Sequence, residues 1–97
     1  MKTFNYTWHD ELYLLHLQFE NPTGKPFEAR VSRNFSTGTV RHEAVYAVDG
    51  MKSHRVMVSR SHPKELAIAI EYPKALTLEV YELDDRAYYP DKPVFKG

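Results

Sequence analysis

Five histidines, His9, His16, His42, His54 and His62, are the side chains in this sequence best suited to metal binding or proton transfer. Their spacing supports neither. There is no His-x-His and no His-Glu-x-x-His, and His9-Asp10 and His42-Glu43 are chain neighbours, whose side chains point to opposite faces of a strand. No metal and no cofactor is expected, and an enzyme built on His42, His54 or His62 ranks third among the readings. The adjacent acids Asp84-Asp85 precede Arg86 and read as a solvated turn. Ser59, Ser61 and His62 lack the Gly-x-Ser-x-Gly elbow that exposes a serine nucleophile, and Thr23-Gly24-Lys25 lacks the spacing of a phosphate loop. The chain therefore reads as non-catalytic.

Two residue types carry more weight. Arginines crowd the centre of the chain among aromatics: Arg30, Arg33, Phe35, Arg41, Tyr46, Arg55 and Arg60. Tyrosine is abundant, at Tyr6, Tyr13, Tyr46, Tyr72, Tyr81, Tyr88 and Tyr89. Exposed Tyr and Arg dominate the energetics of protein interfaces, because each offers a large contact area with a polar tip. The leading expectation is a small protein-interaction module that contacts its partner through Arg30, Arg55, Tyr81, Tyr88 and Tyr89. An inhibitor or accessory factor of the kind encoded by phages and bacteria, occluding a partner's surface, fits that description. The alternative is a single-stranded nucleic-acid-binding β-domain using Arg30, Arg41, Arg55 and Arg60, since such domains combine a basic groove with stacking rings.

Charge separates along the chain. Residues 25–64 hold eight Lys or Arg against three acids, while the two ends are acidic and bring the total to zero. A dipolar molecule follows only if the fold keeps these segments on separate surfaces. Absence of cysteine removes disulfide frameworks, zinc ribbons and thiol chemistry. The start, Met1 to Tyr6, has no continuous apolar run, so neither a secretion signal nor a membrane anchor is expected, and a cytoplasmic location is.

The elements that must position these residues are strands. Phe4, Tyr6 and Trp8 alternate with polar residues, as do Phe27, Ala29 and Val31. Over 12–20 the residues fit one face of a strand through Tyr13, Leu15, Leu17 and Phe19, or one stripe of a helix through Leu12, Leu15, His16 and Phe19; the strand is favoured. Asn21-Pro22-Thr23-Gly24-Lys25-Pro26 is a loop, because proline fixes φ and glycine admits positive φ. Asp49-Gly50 between Val40–Val48 and Met51–Ser59 predicts a tight β-hairpin, in which Val45 and Ala47 share a face with Val56 and Val58. A second hairpin is predicted from Leu66, Ile68, Ile70 and Tyr72, then Leu76, Leu78 and Val80, with a helix starting at Pro63 as its rival.

The chain of 97 residues fits a single domain, 1–97, with 86–97 an irregular tail. Six to seven short strands predict a mainly β fold, a small antiparallel β-sandwich or open barrel. An α+β domain with one or two short helices on a sheet is the alternative. The long strand Leu76 to Leu83 is compatible with a free edge that pairs with a second copy to make a homodimer, and equally with a covered edge.

Overall fold

The computed structural model describes residues 1–9, 14–83 and 89–97, with side chains described in these ranges except at 39–44. Eight strands follow one another: β1 (Lys2–Thr7), β2 (Leu14–Asn21), β3 (Phe27–Phe35), β4 (Gly38–Val48), β5 (Lys52–Ser59), β6 (Glu65–Tyr72), β7 (Thr77–Leu83) and β8 (Phe95–Lys96). They form two antiparallel four-stranded sheets, β1-β6-β3-β4 and β5-β2-β7-β8, packed together as a β-sandwich. Among the described residues there is no helix, and none long and apolar enough to cross a membrane. Both helical alternatives fail for the same reason. Leu15, Leu17 and Phe19 in β2, and Ile68, Ile70 and Tyr72 in β6, are buried at every second position, the period of a strand with one face in a core.

One core lies between the sheets. Leu15, Leu17, Phe19, Val56, Val58, Leu78 and Val80 from one layer meet Ala29, Val31, Val48, Ile68, Ile70 and Tyr72 from the other. Each large side chain removed from water there contributes about 1.5–3 kcal/mol before chain entropy is counted. Phe4 and Phe95, whose ring centroids are 4.4 Å apart, join the edges of the two layers.

The predicted hairpins are not hairpins. β4 pairs with β3, and β5 pairs with β2, so at Asp49-Gly50 the chain crosses from one sheet to the other. The facing residues change accordingly. Tyr46 and Val48 turn toward Val56 and Val58 across the core, while Val45 is 48% exposed and Ala47 is also outside. The second predicted hairpin is likewise a crossing, from β6 in one layer to β7 in the other. β7 is also no free edge, since β2 flanks it on one side and β8 pairs with it at Glu79 and Val80 on the other.

Backbone contacts explain the crossing at residue 50. Met51 N–H donates to Thr23 O at 2.8 Å, with Met51 at φ 60°. A Cβ on Gly50 would stand 2.6 Å from the carbonyl carbon of Gly24 and 2.8 Å from Thr23 O. Glycine is therefore required for close approach to the 21–25 loop. Buried Asn21 ties the same corner, donating from Nδ2 to Lys25 O at 2.7 Å and to Val48 O at 3.0 Å.

A second departure lies at the start of β6. Asn34 opposes Ala67 but Phe35 opposes Glu65, so Leu66 is an extra residue, a β-bulge that inverts the side-chain parity. Leu66 points out, 49% exposed, and Glu65 is fully buried in its stead.

Candidate functional site

β2 has its apolar residues turned into the core, which sends Leu14, His16, Gln18 and Glu20 to the outer face of its sheet. Antiparallel register then builds rows across three strands. Met57, His16 and Tyr81 form one row, Arg55, Gln18 and Glu79 the next, and Ser53, Glu20 and Thr77 a third. These pairings bring together residues far apart in the chain.

His16 is the anomaly of this face. An outward side chain would ordinarily be solvated, yet His16 is only 3% exposed. Tyr81 stands beside it edge to face, with centroids 5.9 Å apart, and Tyr89 packs against both rings, 5.0 Å from His16 and 6.2 Å from Tyr81. The Tyr89 hydroxyl lies 2.5 Å from His16 Nδ1, while His16 Nε2 is buried with no hydrogen-bond partner. Whichever nitrogen carries the proton, the ring keeps one unsatisfied position, at a cost of about 1–3 kcal/mol. Burial, reinforced by the positive field of Arg55, holds its pKa below the ordinary imidazole value and the ring neutral.

The charges around this cluster are unevenly satisfied. Glu20 accepts from Ser53 Oγ at 2.5 Å and from Gln18 Nε2 at 3.0 Å, and the Ser53 bond leads the causes that lower its pKa. Glu79 accepts from the Tyr81 hydroxyl at 2.8 Å and lies 3.7 Å from Lys96 Nζ. Arg55, by contrast, makes no hydrogen bond or ion pair among the described residues. It lines a surface depression of about 420 Å³ together with His16, Gln18, Tyr81, Tyr89 and Asp91.

No protein-family model and no curated protein matches the chain. The fold does have a likeness. The crystal structure of Thermotoga maritima 1070 is similar at a TM-score of 0.68, covering 98% of this chain and 91% of that one at 14% identity. Identity this low speaks to the sandwich alone.

Of the residues singled out as protein contacts, Arg55, Tyr81 and Tyr89 meet around His16, and Tyr88 lies outside the described residues. Arg30 is elsewhere, on the outer face of the other sheet, where it lines a separate depression of about 550 Å³ and lies 3.9 Å from Glu28. Arg30 and Arg55 thus occupy opposite faces of the sandwich. Arg60 is turned to its own loop, donating to Glu65 O and Pro63 O, both at 2.9 Å, and the Arg41 side chain lies outside the described residues. His54 packs beside Tyr46 at a centroid distance of 6.0 Å, His62 accepts from Lys64 N–H, and the His42 side chain, like the pair Asp84-Asp85, is outside the described residues. Among the described residues no three groups are placed to hold a metal ion.

Two further polar clusters are explained by the architecture. The Glu65 carboxylate accepts from Trp8 Nε1 at 2.8 Å, Arg33 Nη1 at 2.9 Å, and Ser61 N–H and Oγ at 2.7 and 2.6 Å. Burial alone would raise its pKa, but the Ser61 and Trp8 bonds and the Arg33 charge together bring it below the usual carboxylate value. Elsewhere Tyr6 donates to Glu82, and His9 Nε2 lies 3.1 Å from both. Burial, with Glu82 assisting, pushes the Tyr6 phenol far above its ordinary value.

Sequence reasoning missed His16. Its alternation with Leu15 and Leu17 placed it on an outer face, but only the register shows Tyr81 beside it.

Proposed function

We propose that this protein is a small non-catalytic binding module that docks another protein against the outer face formed by β5, β2 and β7. The observation that carries this reading is the convergence of Arg55, Tyr81 and Tyr89 around a nearly buried, incompletely satisfied His16. Tyr and Arg at a shared depression are the side chains that concentrate binding energy, and Met57, 48% exposed in the same row, extends the apolar area beside them. An inhibitor or accessory factor acting in the cytoplasm by covering a partner's surface is the form of module this supports.

Photo-crosslinking tests it. Benzoylphenylalanine at position 89 is expected to give a discrete protein adduct in the native cell, resistant to nuclease, whereas the same label at position 30 gives none. Adducts that disappear with nuclease, or that form only from position 30, would reject the proposed face.

A further inference from the structure

We infer that the depression beside His16 receives an aspartate or glutamate side chain of the partner, its carboxylate seated on the Arg55 guanidinium beside the packed Tyr81 and Tyr89 rings. This rests on the protein-docking reading and adds the chemistry of what enters. Charge distribution selects it. Two acids of this face, Glu20 and Glu79, already have donors of their own, Ser53 and Gln18 for Glu20, and Tyr81 and Lys96 for Glu79, and the Arg55 charge acts on Glu20 only at a distance. Arg55 has neither hydrogen bond nor ion pair among the described residues, so the planar fork of five donors is open to an incoming acceptor.

Size and shape agree with a side chain. A volume of about 420 Å³ is within the range of ligand-sized clefts, and the two tyrosine rings, packed edge to face with centroids 6.2 Å apart, present a single apolar flank for the methylenes of an acidic residue. The sign and amount of charge narrow the choice further. A cation would meet Arg55. A phosphate would bring up to two negative charges beside Asp91, which lines the same depression, and near Glu79 and Glu20 on the same face. A singly charged carboxylate satisfies Arg55 with the least repulsion. It also offsets the positive field that Arg55 exerts on His16.

The test is an NMR titration of the labelled full chain with N-acetylglutamate α-amide, which presents a side-chain carboxylate with both ends blocked. Saturable shifts are expected at the Arg55 Nε–Hε group and at Gln18, His16 and Tyr81. Affinity should fall at least tenfold in Arg55→Gln and stay within twofold of the parent in Arg30→Gln, with the amide spectrum of each variant reporting its fold. Three parallel titrations set the chemistry: N-acetylglutamine amide as the neutral isostere, inorganic phosphate, and N-acetylglycine as a chain-terminal carboxylate. The inference is overturned by no saturation with the glutamate probe, by equal binding of the glutamine probe, by phosphate binding as tightly, or by Arg55→Gln behaving as the parent. Preference for N-acetylglycine alone overturns the side-chain assignment in favour of a chain end. Failure here with the position-89 adduct retained rejects only the carboxylate, whereas saturation without an adduct rejects protein docking and leaves the site.

Discussion

His16 is on the outer side of its sheet and still only 3% exposed. Its parity on β2 declares an outer face, yet Tyr81 from β7 and Tyr89 beyond it nearly enclose the ring. The neutral form is favoured in the fold, so the unfolded chain takes up a proton first as the solution is acidified. Stability from this group is complete above the unfolded value of about 6.5 and declines as pH falls through 6.5 toward the lower folded value. Glu65 acts in a lower window. Its folded pKa is depressed, so its contribution is present above about 4.5 and is lost as pH falls through the folded value. Urea unfolding from pH 8 to 3 should therefore show two declines, with His16→Gln removing the slope near pH 6 and leaving the acidic one. A pH-independent stability between 7 and 5.5 in the parent chain would contradict the burial of His16. Arg33 was legible only as a residue on the parity of Ala29 and Val31 that could mark a strand end. Its partner was not, because the bulge at Leu66 inverts the alternation that makes Glu65 appear exposed.

Strands are local and partners are not, which separates what could be read at the scale of elements from what could not. Period-two patterning located β1, β2, β3, β6 and β7 because one face of each lies in a single core. Asp49-Gly50 does lie between two strands, but those strands belong to different sheets rather than to the hairpin expected of it. Whether the two arms pair depends on where each finds its hydrogen bonds, and β3 and β2 supply those from distant parts of the chain. The exposed Val45 and Ala47, apolar but outside, made a paired ribbon with two apolar faces look consistent. Gly50 distinguishes the two geometries. In a hairpin turn it would serve positive φ, but here it serves the approach of two backbones, and positive φ falls on Met51. Gly50→Ala is expected to destabilise by about 1–3 kcal/mol, as overpacking does. Met51→Gly should change stability by no more than about 1 kcal/mol, because relief of the left-handed residue offsets the entropy of glycine. Chemical denaturation of both variants checks this, and a larger loss from Met51→Gly than from Gly50→Ala would contradict the loop-packing account.

For the whole molecule, the consequence of repeated crossing between sheets is that segments with distinct composition do not become distinct surfaces. The basic stretch 25–64 contributes β3 and β4 to one layer and β5 to the other. Two of its arginines are also drawn to acids, Arg33 onto Glu65 and Arg30 beside Glu28. The dipole suggested by the linear charge pattern is thereby dispersed, and what remains is local, an open guanidinium beside two tyrosines on one outer face. That asymmetry between the two outer faces is the centre of the functional account. Amide hydrogen exchange of the chain with and without its crosslink-identified partner measures it directly. Added protection is expected at Gln18, along 53–57 and 79–81, and at 89–91, with Arg30 and Glu71 on the opposite face unchanged. Protection confined to β3 and β6, with the face around His16 exchanging as in the free protein, would contradict it.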